Sequence, residues 1–236
     1  MVNAILIDFA ELYREFHSPV TEFDCGDRCA PYNERGVPFC CDINHAVPAA
    51  YQDEWTYLRC NTNLWRPWQS DDTALMEALN QQTPPGQVLI SCLGHLLCQR
   101  EYRSITCRSF PFFPYITLSG EFIGLSYYWQ YEDRCWVISH LEMVSEKYLS
   151  EFVKVFDFIF EQMPEELATY RHFGIIMRRV FGRKHRSIPL LHRNGMAYKV
   201  SPRTGQMRRC TPNKFSQFGP YQIAAELPFP DELPQE

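Results

Sequence analysis

An α+β fold is what the order of patterns along this chain predicts, and three observations carry the prediction. Apolar residues recur at helical spacing in separate blocks, the two longest lying between residues 144 and 184. Two alternating stretches, ITLSGEFIGLSYY around Ser119-Gly120 and LLHRNGMAYKV around Asn194-Gly195, read as β-hairpins. Nine cysteines lie between residues 25 and 135, and all but Cys60 fall in turn-rich segments, the pattern of an irregular cysteine-rich core served by short helices and hairpins. Residues 1–140 are expected to fold around that core, 141–210 to add a helical pair and a small β meander packed on it, and 211–236 to form an acidic, proline-rich tail.

Composition narrows the class. At 236 residues and 27.8 kDa the chain can bury a full hydrophobic core, so a metal is not required merely by small size. A formal charge of -5 and a pI near 5.8 argue against a general nucleic-acid binder, while leaving room for local basic patches. The opening MVNAILIDFAELYREF lacks the positive start and cleavage site of a secretory signal, and no later run approaches a membrane span. A cytoplasmic protein is therefore expected, and ten cysteines in a reducing compartment point to metal ligands, redox groups or buried thiols rather than a disulfide framework.

Residues 4–16 place Ile5, Phe9, Leu12, Tyr13 and Phe16 on one helical face with Asn3 as cap. The first cysteine block follows: Cys25 and Cys29, the loop APYNERGVPF, then the adjacent Cys40 and Cys41. Neighbouring residues tend to point apart, so that pair is expected to divide, one ligating while the other packs, or each serving a different site. Pro48 suits the first position of a helix through AAYQDEWTYLR, with Trp55 and Leu58 inward. Cys60 reads as a buried free thiol. Ser70 to Gln82 is a second short helix with Asp71 and Asp72 in its first turn.

GQVLISCL reads as a strand delivering Cys92 to a loop that carries Cys98 and Cys107, and the hairpin beyond leads to Cys135. Leu149, Phe152, Val153, Phe156, Ile159 and Phe160 then form the buried face of a helix capped by Ser145. A further helix begins near Pro164, with Glu165 and Glu166 in its first turn and arginines near its end, the charge order that the helix dipole favours.

The chemistry lies in the cysteines. Thiolate sites need several cysteines brought together from loops whose N–H groups can also reach sulfur, and Cys25 with Cys29, then Cys92, Cys98 and Cys107, are two such clusters. Arginine stands beside five cysteines, as Arg28, Arg59, Arg108, Arg134 and Arg209, where its charge favours thiolate. His45 and His95 lie near cysteines, but a packing histidine is the commoner outcome, and Asp42 fits a turn better than a base. No GxGxxG, phosphate loop, HExxH, nucleophile elbow or CxxxCxxC is present.

In its cysteine order the chain resembles the YkgJ-like cysteine-cluster family, described as zinc- or iron-chelating domains, to which the flagellin lysine N-methylases are related. FDCGDRC and FCCD look like that family's opening, and SCLGHLLCQREY with TCRSFPF looks like its middle and close. Cys135 matches a later cysteine common in the family. The resemblance covers roughly residues 23–138; the ten-residue gap before Cys40 and the missing Arg-Pro before Cys107 depart from it. It implies a metal centre held by Cys25, Cys29, Cys40, Cys41, Cys92, Cys98, Cys107 and Cys135, with Arg108 of the closing signature against the cofactor. All-cysteine ligation suits a [4Fe–4S] iron–sulfur cluster or zinc, and the absence of paired CxxC knuckles favours the cluster. One centre with spare thiols is the economical expectation, though eight cysteines suffice for two. The expected roles are electron transfer, a redox-dependent enzyme or maturation, with an unknown protein or redox partner; the alternative is a zinc-stabilised interaction module.

Overall fold

The structure, a computed structural model, describes residues 7–224. It opens with α1 (Phe9–Glu15), α2 (Gly26–Cys29), β1 (Ala49–Tyr51), α3 (Gln52–Asn61), β2 (Trp65–Pro67), α4 (Thr73–Gln82) and β3 (Gln87–Cys92). There follow α5 (Ile105–Ser109), the hairpin β4 (Phe112–Ile116) and β5 (Phe122–Tyr127), and α6 (Trp136–Ser139). The chain continues with α7 (Glu146–Gln162), α8 (Pro164–Arg183), β6 (Ile188–His192), β7 (Ala197–Val200), β8 (Met207–Cys210) and α9 (Pro220–Ala224). This is the expected α+β class.

Its strands make two antiparallel sheets, ordered β1-β3-β2 and β4-β5-β6-β7-β8. The meander is therefore not a separate addition: it continues the sheet begun by the β4–β5 hairpin, through Gly124 opposite His192 and Leu125 opposite Leu191. The boundary expected near residue 140 runs across one sheet. Gly124, at φ 149°, permits this junction, because a Cβ there would stand 2.3 Å from the carbonyl oxygen of Leu191.

The large sheet is stabilised by the two long helices. α7 packs on β5 and α8 on β4 and β6, and the sequence explains both helices locally. Ser145 caps α7 by accepting the Tyr148 N–H, and Pro164 occupies the first turn of α8, as expected. Phe152, Phe156 and Ile159 are fully buried, and each such side chain contributes about 1.5–3 kcal/mol by leaving water.

Several local expectations are corrected. The first helix starts at Phe9, capped by Asp8, which accepts from the N–H groups of Ala10 and Glu11; Asn3 and Ile5 lie outside the described residues. Pro48 precedes β1 rather than opening a helix, because Ala49–Tyr51 pair with β3. α3 instead begins at Gln52, where Glu54 accepts the Tyr51 N–H at 3.2 Å. Trp55 and Leu58 do face inward, but Cys60, on the outer side of the same helix, is exposed. α4 starts at Thr73, with Asp72 as its cap rather than within its first turn. The proline-rich segment from Glu226 onward lies outside the described residues.

Candidate metal centre

Six short stretches of backbone carry the eight expected ligands, and most are single turns. Cys25 and Cys29 flank α2, whose start is fixed by Asp24 accepting the Gly26 N–H at 2.9 Å. Gly26 is needed there, since a Cβ would meet Pro38 Cγ at 2.7 Å. Cys40 and Cys41 lie on a 3-10 turn that brings their sulfurs to 3.8 Å, closer than the divergence expected of neighbours. Asp42 ends that turn, accepting from Asn44 N–H, Asn33 Nδ2 and Arg35 Nη1, so the turn role expected of it is the one found.

Cys92 closes β3, with its sulfur accepting the Gly94 N–H at 3.4 Å. Cys98 accepts from Arg103 Nε at 3.0 Å. Cys107 rides on α5, started by Ser104 as cap, and Cys135 precedes α6 and is buried. All ten cysteines are free thiols. Cys60 on α3 and Cys210 on β8 stand apart from the cluster elements.

Electrostatics divides the eight into two groups. Burial is the largest push on the thiols of Cys25, raised to about 11, Cys107, raised to about 12, and Cys29, Cys92 and Cys135. The further push comes from neighbouring sulfurs. Cys29 acts on Cys25, Cys25 and Cys29 act on Cys135, and Cys135 and Cys25 act on Cys40. On the other side Cys41 and Cys98 act on Cys92, while Cys41 and Cys92 act on Cys107. The groups meet at Cys40 and Cys41, whose mutual hydrogen bond raises Cys40 and lowers Cys41, so that Cys41 ionises first. The division is incomplete, because the sulfur that acts on Cys29 is Cys41.

Arg103 is the cation of the second group. It bonds Cys98, helps hold Cys41 low and counters the rise at Cys107. Arg108, expected against the cofactor, has another task. Its five N–H donors go to backbone carbonyls: Nε to Arg103, Nη1 to Tyr13 and Phe16, Nη2 to Arg100 and Glu101. With its guanidinium 4.3 Å from the Tyr13 ring centre, it ties the ligand loop to α1 and has no donor left for a bound group. Adjacency to Cys107 pointed to Arg108, whereas the arginine that bonds a cysteine sulfur is Arg103, because one turn of α5 sends consecutive side chains to different faces.

Glu54 is a further buried group that sequence reasoning missed. It accepts from Tyr13 Oη and Ile105 N–H, each at 2.6 Å, and thereby links α1, α3 and the start of α5. Its position three residues into α3 was the available signal, although that pattern does not announce burial. His45 packs against Phe39 with ring centres 5.0 Å apart, and lies 3.4 Å from Arg134 Nη1.

A cavity of about 420 Å³ opens beside the second group. Cys40, Cys41, Cys92, Cys98 and Cys107 lie on its thiol side, and Phe110, Tyr128, Phe173 and Glu166 line part of the remainder. Burial raises the Glu166 carboxyl, and Tyr51 Oη and Gln87 Nε2 donate to it.

Among the described residues no three or more His, Cys, Asp or Glu stand in the spacing of a finished metal site. The donor chemistry nevertheless fits a thiophilic centre: eight sulfurs, a cation bonded to one of them, and backbone N–H donors at Gly94 and Ile138. A bound metal or cluster would supply a Lewis-acidic or redox centre held by these sulfurs. Comparison with family models, curated proteins and solved structures finds no match to this chain. No described helix is long and apolar enough to cross a membrane.

Proposed function

We propose that this chain is a YkgJ-like metal-binding protein whose cysteines hold an iron–sulfur centre, most readily [4Fe–4S], serving electron transfer, a redox-dependent enzyme or a maturation role. One observation carries the reading. Eight thiols from distant parts of the chain come near enough to act on one another, and five of them, Cys40, Cys41, Cys92, Cys98 and Cys107, line one cavity together with Arg103, which bonds Cys98. Gathering this much thiol in one region without a ligand does little that ordinary apolar side chains would not do better, whereas a thiophilic centre uses it. Eight sulfurs suffice for two centres, divided at the Cys40-Cys41 pair, or for the single centre with spare thiols expected from economy. The ten free thiols agree with a reducing, cytoplasmic setting.

A second reading, zinc as a structural support for a partner surface, draws on the loop between Cys92 and Cys98. Its Leu96 and Leu97 are 86% and 60% exposed, uncommon for two adjacent leucines on a loop held at both ends.

The deciding measurement is iron, zinc and acid-labile sulfide content, with a visible spectrum, on protein purified without oxygen. Two [4Fe–4S] clusters give about eight iron and eight sulfide per chain, and one gives about four of each. Zinc without sulfide overturns the iron–sulfur reading in favour of the structural one, and protein that holds neither metal overturns both.

A further inference from the structure

The distribution of charge along the chain is as uneven as that of cysteine. From Leu167 to Ala225 there is no Asp or Glu, yet this stretch holds 12 of the 23 Lys and Arg, leaving 11 basic and 28 acidic residues elsewhere. Arg186 pairs with Glu132 and Arg193 with Asp157, both acids lying outside the stretch, and the buried Arg178 is held by the Ile116 carbonyl. Among the described residues, nine others have no ion-pair partner: Arg171, Arg179, Arg183 and Lys184 belong to α8 or its end, and the other five are Lys199, Arg203, Arg208, Arg209 and Lys214.

All five belong to the β7–β8 ribbon or its flanks. β8 is an edge strand, with Met207, Arg208 and Arg209 exposed. Side chains alternate across a strand, so Arg208 and Arg209 project from opposite faces. Arg208 stands directly opposite Lys199, and Arg209 opposite Tyr198, whose ring lies 5.3 Å from that of His192. A like-charged pair directly across two strands destabilises the pairing. Charge on an edge strand discourages sheet-to-sheet association, but either sign, or a mixture, would serve that purpose. Same-sign charge on both faces, with acids excluded from the whole segment, leaves a repulsion that an external anion relieves. Lys199 also borders a small cavity of about 210 Å³ with His185, Ser187 and Ser216. Lys199, Arg208 and Lys214 all act on the Cys210 thiol, which places the three charges around one point.

We infer that the β7–β8 ribbon is a binding surface for the phosphate backbone of a nucleic acid. The free edge of the sheet at β8, cationic on both faces, suits a groove walled by phosphates better than a flat acidic protein face. Arginine, three of the five residues, matches phosphate geometry with paired donors. The chain's overall negative charge does not oppose this, because screening confines exposed charges to about 8 Å at physiological salt.

The test is fluorescence anisotropy of the full chain with a labelled DNA duplex and a labelled single-stranded RNA of about 20 nucleotides, across a salt series. Five phosphate contacts predict a slope of log K against log salt of about −4 for duplex DNA. Arg208→Gln and Lys199→Gln, each at an accessible position, should lower the slope by about one unit apiece and weaken binding to different sequences equally. A full-length variant with Glu226, Asp231, Glu232 and Glu236 changed to amides removes acids of the chain itself as competitors. The inference is overturned if neither wild type nor that variant binds either probe at 50 mM salt, or if the Lys199 and Arg208 variants keep the wild-type slope. Displacement by polyglutamate as effective as that by unlabelled nucleic acid of equal charge also overturns it, in favour of an acidic protein partner.

Discussion

The five-stranded sheet with α7 and α8, and the thiol region built from α2, α5, α6 and the loops between them, solve the same problem in opposite ways. In the first, long elements bury aromatic side chains against one another: Phe156 lies 4.5 Å from Phe152 and 5.6 Å from Tyr170, ring centre to ring centre. In the second, one-turn helices bury thiols, an arginine and two carboxyls, and order comes from hydrogen bonds such as those of Arg108 and Glu54. Apolar contact is non-directional and needs no ligand. A region held by directional polar bonds around sulfur gains less from collapse alone, which is why a bound centre has more to contribute there.

The sharpest way to break this comparison is to open the aromatic core. Phe156→Ala removes a fully buried ring and should cost about 3–5 kcal/mol, read as a lower denaturant midpoint. The loss should be the same in metal-loaded and metal-stripped protein. If stripping changes its size by more than the error of the measurement, the two regions are not energetically separate.

A smaller effect, confined to the thiol side, comes from pH. Burial raises the Glu54 carboxyl from 4.5 to about 7 against the opposing pull of its three donors. The folded chain therefore holds a proton that the unfolded chain releases near its ordinary value. The stability this provides is present in full at low pH and is lost as pH rises from about 4.5 to 7, by an amount on the order of 3 kcal/mol. Glu166, raised in the same direction, adds a loss of the same sign. Glu54→Gln should flatten much of that slope in melts taken from pH 5 to 8; an unchanged slope would place the titration elsewhere.

The same division governs how much could be read from sequence. α7 and α8 were legible because caps, proline and apolar spacing are local signals, and Ser145 and Pro164 stand where those signals put them. The joining of hairpin and meander was not, since it depends on Leu125 meeting Leu191 across 66 positions and on Gly124, which by itself reads as one more strand residue. The cysteines were legible by count and order, but their grouping was not, because Cys135 meets Cys25 only after the sheet has formed between them. Among the arginines, sequence adjacency favoured Arg108, whereas Arg103 reaches Cys98 from five residues away across a 3-10 turn. Burial hid Glu54, a carboxylate whose helix otherwise carries polar residues outward.

The smallest expected effect tests the boundary of the thiol region. Cys60 is exposed on α3 and is not among the groups that act on the eight. Cys60→Ser should therefore change stability by less than about 0.5 kcal/mol, as surface substitutions away from special features do. It should also leave metal content and visible spectrum untouched. Cys107→Ser, at a thiol enclosed between Cys41 and Cys92, should reduce the metal bound by one centre. The pair matters more than either variant alone, because equal effects on metal content would mean that the two groups of four do not define the ligands, and an effect at Cys60 alone would move the centre to the other side of α3.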